Sequence, residues 1–372
     1  MRRLGFLAAT LLWAAACSVQ SNSIAGENDG QTIALDVSSG RPVAQVTIND
    51  SGPYPIIFDT GAGATILLAS LERDLGLSVL GHTPIGSPLG GVAPTGNVVR
   101  LDSVSVGGVV RRNLQAISIE NALLPLRGAL GVIGPAAIRD RVVEIDVSSS
   151  EMWIGPAPRS AVTNWNRIGR GDKLDATITI GGFEIPAHID SGSAGAITLP
   201  LSAASHLQLV EPLRESGGMR TIDATRVVSI GRLNADADIS GTPVRLDVAN
   251  FADVNTAIIG SQALAGFTVV IDYPHRRWAL VGTSAGPIAA QPPLGDFGAR
   301  VMPLASGAIQ VFGIDDGSRA AQSGLQIGDE ITAVDGQNVA NINPPDLRGL
   351  LSSSSTRLTI QRNGGQLELS TP

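Results

Sequence analysis

Two short stretches hold the residues best placed to do chemistry. Ile56-Ile57-Phe58-Asp59-Thr60-Gly61-Ala62 recurs as Ala187-His188-Ile189-Asp190-Ser191-Gly192-Ser193, with Pro55 and Pro186 at matching offsets. Each copy sets one carboxylate at the end of an apolar run, followed by a hydroxyl and a glycine. Two carboxylates about 3 Å apart cannot both ionise, so they share one proton and act together as base and acid. Such a pair splits an amide with an activated water and needs neither a metal nor a nucleophilic Ser or Cys. Gly61 and Gly192 let the backbone turn tightly and bring amide donors to the carboxylates. Thr60 and Ser191 carry hydroxyls able to brace the opposing loop, and Ala62 and Ser193 follow as the last members of the two loops. Asp59 and Asp190 are the expected dyad.

The repeat extends beyond the two loops. About seventy residues after each Asp comes a second shared block, Val132-Ile133-Gly134 in one half and Ile258-Ile259-Gly260 in the other. Each is followed by an apolar run, Val142-Val143-Glu144-Ile145-Asp146 and Val269-Val270-Ile271-Asp272. Repetition separates the two motifs from Asp50-Ser51-Gly52, which follows Asn49, precedes Pro53 and has no counterpart. That string is expected to be a hairpin turn. Asp146 and Asp272 open polar hairpin segments and are expected to be structural. Serine chemistry at Ser191 would need a histidine base held by a carboxylate. His82 and His188 lie in no motif that suggests one, while His206 and His275 read as helix-surface and hairpin-turn residues.

The elements that must position these loops are mainly strands. Val46 and Ile48 alternate with polar neighbours, as do Leu174, Ala176, Ile178 and Ile180. The 44 Gly and 22 Pro supply the turns. Helical patterning is confined to 64–77, 202–209 and a stretch near 345–351. Of the 372 residues, 43% are hydrophobic and 16% charged, enough for packed cores in two or three domains. Aromatics at 3% and a net charge of −7 argue against a nucleic-acid partner. One Cys and four scattered His leave no ligand set for a metal, and no cofactor is expected.

The twin Asp motifs and the twin apolar-apolar-Gly blocks resemble the pepsin/retropepsin family of aspartic proteases, the small retroviral-type lobe above all. The resemblance implies two tandem β-barrel lobes, 36–156 and 171–283, forming a pseudo-dimer in one chain through a connector at 157–170. No second chain would then be needed to build the site. It also implies that each apolar-apolar-Gly segment passes behind a catalytic loop, and that a polypeptide substrate lies extended between the lobes. Hairpin flaps would cover that substrate, with Gly90-Gly91 and Gly217-Gly218 as the bending points. In this family a hydroxyl at the third position after the Asp donates to the carboxylate. Ser193 would do so for Asp190 and Ala62 could not for Asp59, biasing the dyad toward charged Asp190 and protonated Asp59.

Both ends of the chain carry further signals. Arg2-Arg3 and the thirteen-residue apolar run Leu4–Ala16 make 1–17 an export leader too short to span a membrane. The lone Cys17 follows Ala15-Ala16, where a bacterial lipoprotein carries its lipid. Residues 18–35 are expected to be a flexible tether and 284–296 a Pro/Gly-rich linker. The protein is thus expected to be exported to the periplasm and membrane-anchored through that lipid. In 297–372, Ser318-Arg319-Ala320 and Gly324-Leu325-Gln326-Ile327-Gly328-Asp329 resemble the core of bacterial PDZ domains, β-rich with short helices. Such a domain takes a C-terminal peptide as an added strand, with Phe297-Gly298-Ala299-Arg300 as the carboxylate-binding loop, or serves as a packing module. The expected function is aspartic endopeptidase, and the rival is a silent peptide-binding scaffold using the same cleft.

Overall fold

The computed structural model describes residues 30–85, 94–120, 126, 128–220, 225–282, 286–290, 297–304, 307–340, 342, 344–353 and 355–372. The leader, Cys17 and most of the tether lie outside them.

Strand patterning dominates the first half, which contains β1 (Gln31–Ala34), β2 (Val43–Ile48), β3 (Ser51–Phe58), β4 (Thr65–Leu68), β5 (Val79–Pro84), β6 (Thr95–Val106), β7 (Val109–Ile119), β8 (Gly131–Ile133), β9 (Val142–Asp146) and β10 (Glu151–Gly155). Asn49 and Asp50 both take positive φ and join β2 to β3, so the Asp50-Ser51-Gly52 string belongs to a hairpin, as expected. Strands β2, β3, β8, β4, β7 and β6 follow one another around a ring that the β2–β6 pairing closes, and β5 extends it from β6.

The second half repeats that topology with β11 (Asn166–Arg167), β12 (Leu174–Ile180), β13 (Phe183–Asp190), β14 (Ile197–Pro200), β15 (Arg214–Arg220), β16 (Thr225–Ile239), β17 (Thr242–Ala252), β18 (Ala257–Gly260), β19 (Phe267–Asp272), β20 (Arg277–Gly282) and β21 (Ile288–Ala289). Its ring runs β12, β13, β18, β14, β17, β16, and β15 extends it from β16 as β5 does from β6. In both rings the strand ending at the Asp lies parallel to the apolar-apolar-Gly strand, β3 beside β8 and β13 beside β18. The fold is mainly β, with barrel-like sheets. A third sheet, β1-β10-β9-β19-β20-β11, draws on both halves. Its seam is the antiparallel pair β9–β19, with Val143 opposite Ile271 and Ile145 opposite Val269, all four fully buried.

The C-terminal unit has its own core, including Val311, Ile331, Val334, Leu358 and Ile360. Its sheet comprises β22 (Ala299–Pro303), β23 (Ile309–Ile314), β24 (Glu330–Val334), β26 (Arg357–Arg362) and β27 (Gly365–Ser370) in that order, with β25 (Gln337–Asn338) on β24. The Gly-Asp motif has a direct physical role. Buried Asp329 accepts from the Gln326 amide at 2.7 Å and from Arg362 Nε and Nη2 at 2.6 Å each, pinning the turn to β26. The edge strand β22 runs beside β15 of the second ring, where Arg214 lies 3.9 Å from Asp315. Gly298 holds φ +80°, and its carbonyl accepts from the Asp315 amide at 2.8 Å.

Several boundaries differ from the sequence expectation. Helical spacing over 64–77 yields strand β4 and then a short helix, α1 (Ala69–Asp74), because Thr65–Leu68 is drawn into the ring between β7 and β8. Residues 201–206 form a 3-10 turn, and Pro344–Leu351 is helical as expected. Within the expected linker, Ile288–Ala289 pairs in parallel with β17, and Ile288 and Ala290 are buried. The end of the expected tether is likewise strand, β1 pairing with β10. Within the expected connector, β11 pairs with β20.

Candidate active site

Asp59 directly follows β3 and Asp190 ends β13, strands whose alternate residues face a barrel core. In β13, Ile185, Ala187 and Ile189 are buried, and Asp190 therefore points the other way. Behind each loop the apolar-apolar-Gly strand passes close. The Asp59 amide donates to the Ile133 carbonyl at 3.1 Å, and the Ser261 hydroxyl donates to the Ser191 carbonyl at 2.8 Å. A Cβ at Gly134 would stand 2.8 Å from the Ala62 carbonyl oxygen, and one at Gly260 would overlap the Gly195 carbonyl. The two repeated glycines are thus demanded by the loops lying over them.

The two loops are bound to each other. The Thr60 amide donates to Ser191 Oγ at 3.1 Å, and the Ser191 amide donates to Thr60 Oγ1 at 3.0 Å. Each hydroxyl then donates across the junction, Thr60 to the Ile189 carbonyl at 2.9 Å and Ser191 to the Phe58 carbonyl at 2.8 Å. Both side chains are fully buried, so four hydrogen bonds made away from water bring the Asp59 and Asp190 loops together. Glycine is required at the crossing. A Cβ at Gly61 would stand 2.9 Å from Asp190 Cγ, and one at Gly192 would overlap the Asp59 carboxylate.

The carboxyls differ in their surroundings. Asp59 accepts from the Gly61 amide at 2.7 Å, whereas Asp190 accepts from the Ser193 amide at 3.0 Å. Burial and the neighbouring Asp190 push Asp59 up to about 8. Burial pushes Asp190 upward too, but the His188 ring, the hydrogen bond from Asp59 and the Ser193 amide more than offset it, and its carboxyl lies below the usual range. The asymmetry has the direction expected from sequence and a different origin: Ser193 reaches Asp190 through its backbone amide. Arg41, which no motif marked, lies near both carboxyls, which favour its charged form while burial lowers its pKa.

Gly90 and Gly91 lie outside the described residues, although the Ile85 amide bonds the Pro94 carbonyl at 2.8 Å at the base of that hairpin. Gly217 and Gly218 lie on the leg of the β15–β16 hairpin, opposite Val228 and Val227, next to a bulge that bends the strand. Residues 221–224 lie outside the described set. Asp146 and Asp272 are structural, Asp146 accepting from the Ser148 and Ser149 amides and Asp272 pairing with Arg277 at 2.8 Å.

Residues 44–134 match the sequence model of the aspartyl protease family, and residues 311–362 match that of the PDZ domain. The first match spans the Asp59 loop and ends at Gly134, so it covers one Asp motif and one apolar-apolar-Gly block. No curated protein matches the chain. The chain carries a retropepsin-like aspartyl protease domain and a PDZ domain.

Proposed function

We propose that the chain is an exported aspartic endopeptidase whose two Asp loops, both on one chain, hydrolyse peptide bonds with a shared proton. The observation that carries this reading is the reciprocal Thr60–Ser191 bonding, which joins Asp59 and Asp190 while their surroundings drive the two carboxyls in opposite directions. Charged Asp190 takes a proton from water as the water oxygen adds to the peptide carbonyl carbon. Protonated Asp59 gives its proton to the carbonyl oxygen, forming a neutral gem-diol. Asp190 then passes its proton to the amide nitrogen as the C–N bond breaks, and Asp59 recovers one from a hydroxyl. The dyad ends as it began. An extended polypeptide is the substrate, and the PDZ unit recruits it by a C-terminal peptide.

A diverse peptide pool, incubated with and without a pepstatin-type inhibitor and analysed by mass spectrometry, tests the reading. Inhibitable cleavage that Asp59→Asn and Asp190→Asn each abolish is the expected result. Peptide binding without cleavage by the unaltered chain would overturn it in favour of a scaffold. Export and anchoring rest on the leader and Cys17. The membrane form is expected to lack the first sixteen residues and to carry acyl mass on Cys17, and a wholly soluble protein with unmodified Cys17 would end that part of the proposal.

A further inference from the structure

The two Asp strands are alike in topology and differ at one chemically telling position. Two residues before Asp59 stands Ile57, buried in an apolar cluster with Val43, Leu68, Leu126, Ala129 and Val132. Two residues before Asp190 stands His188. Residues two apart on a strand share a face, so the imidazole lies alongside the carboxyl, with Nε2 3.7 Å from Asp190 Oδ2. That is ion-pair range and slightly longer than a hydrogen bond. The two side chains are only 13% and 21% exposed, so bulk water screens the contact little.

We propose that His188 is a positioning residue of the dyad, holding Asp190 as the ionised member so that the shared proton resides on Asp59. This rests on the reading of the site as a protease dyad and adds to it the device that breaks its symmetry. A ring nitrogen carrying its proton toward a carboxylate favours the charged form. The other groups around the pair do not set the same preference. Arg41 acts on both carboxyls, while Tyr273 lies within electrostatic reach of Asp59. On the neighbouring strand β12, Asp175 sits opposite His188 and Lys173 lies just before the strand. On the other side, β18 offers only Ile258 and its apolar neighbours. His188 is the group that meets one carboxyl and has no equivalent at the other.

Two variants and one spectroscopic readout test this. His188→Ile copies the first lobe, and His188→Gln keeps an N–H donor in a polar side chain of similar reach. Folding is checked by circular dichroism and melting temperature, and kcat/KM is measured across pH on a cleaved peptide. Full-length protein with 13C-labelled Asp carboxyls reports the titration of Asp190, assigned by its loss in Asp190→Asn. His188→Ile is expected to move the acid limb and the Asp190 titration together to higher pH. Its kcat/KM should fall roughly tenfold more at the acid end than in mid-profile, and His188→Gln should recover part of the loss. A folded His188→Ile with an unmoved acid limb and Asp190 titration overturns the proposal. So does an even loss at every pH, which marks a packing role. Should His188→Ile not fold, His188→Gln decides by the same two readouts. If the unaltered chain cleaves nothing, the protease reading fails, and the Asp190 titration still decides what His188 does.

Discussion

Thr60 and Ser191 satisfy each other's backbone across the junction of the two halves, each hydroxyl accepting the other residue's amide at 3.1 and 3.0 Å. The bonds are buried, so removing one hydroxyl leaves the opposing amide without its acceptor. Such a group costs ~1–3 kcal/mol when stranded. Thr60→Ala and Ser191→Ala are each expected to lose about that much stability in urea unfolding. The double variant should lose less than the sum, because the two changes break one network. Full additivity would show the hydroxyls to be independent.

The two crossing glycines are expected to differ in sensitivity. Gly192→Ala forces its methyl into the Asp59 carboxylate, while Gly61→Ala meets Asp190 Cγ at 2.9 Å. Displacing a reacting group by about 1 Å costs on the order of 100-fold in rate. Gly192→Ala should therefore lose ~100-fold or more in kcat and exceed the loss in Gly61→Ala, with both proteins folded. Equal or negligible losses would show that the loops absorb a Cβ.

Activity is expected to extend to neutral pH. The reacting state needs a proton on Asp59 and none on Asp190. Asp59 is pushed up to about 8 and Asp190 held below its ordinary value, so kcat/KM should form a bell with its alkaline limb near pH 8. The limbs belong to the pair rather than to either residue. A protein active only below pH 5 would contradict this environment for Asp59.

Asp59 should also tie stability to pH. In the folded chain it keeps its proton to about pH 8, whereas its ordinary value is 3.8. Between those values the native state binds more protons than the unfolded chain, so this group's contribution to stability falls as pH rises. Asp59→Asn removes that dependence. Its Tm should exceed the wild-type value most at pH 8, with the gap closing toward pH 4, and a constant gap would refute the link.

Ser193 offers a contrast with His188. Its contact with Asp190 is made by the backbone amide at 3.0 Å, which Ser193→Ala retains. That variant is expected to leave the acid limb where it stands, and a shift like that of His188→Ile would restore the hydroxyl to a role.

Much of this site was legible in the sequence because chain duplication printed each requirement twice. Asp59 and Asp190, the hydroxyls after them and the distant glycines all recur, and the structure shows what the hydroxyls and the glycines do. What repetition cannot reveal is asymmetry. His188 replaces an apolar residue, and from sequence it reads only as a base without a motif. Arg41 follows a turn, Ser39-Gly40, and its approach to the carboxyls depends on the path from β1 into β2. The short strand within the expected linker was hidden for a related reason. Composition marks 284–296 as Pro/Gly-rich, but parallel pairing of Ile288–Ala289 with β17 is decided by a free edge elsewhere.

The shared seam of β9 and β19 sets a schedule on synthesis. Val142–Asp146 leaves the ribosome well before Phe267–Asp272, the strand it must pair with. At ~5–20 residues per second the gap of about 125 residues lasts roughly 6–25 s. Through that interval the apolar edge of β9 is open, and an open edge invites any strand nearby. A chain interrupted between the two halves would expose an edge made to receive a near-copy of itself.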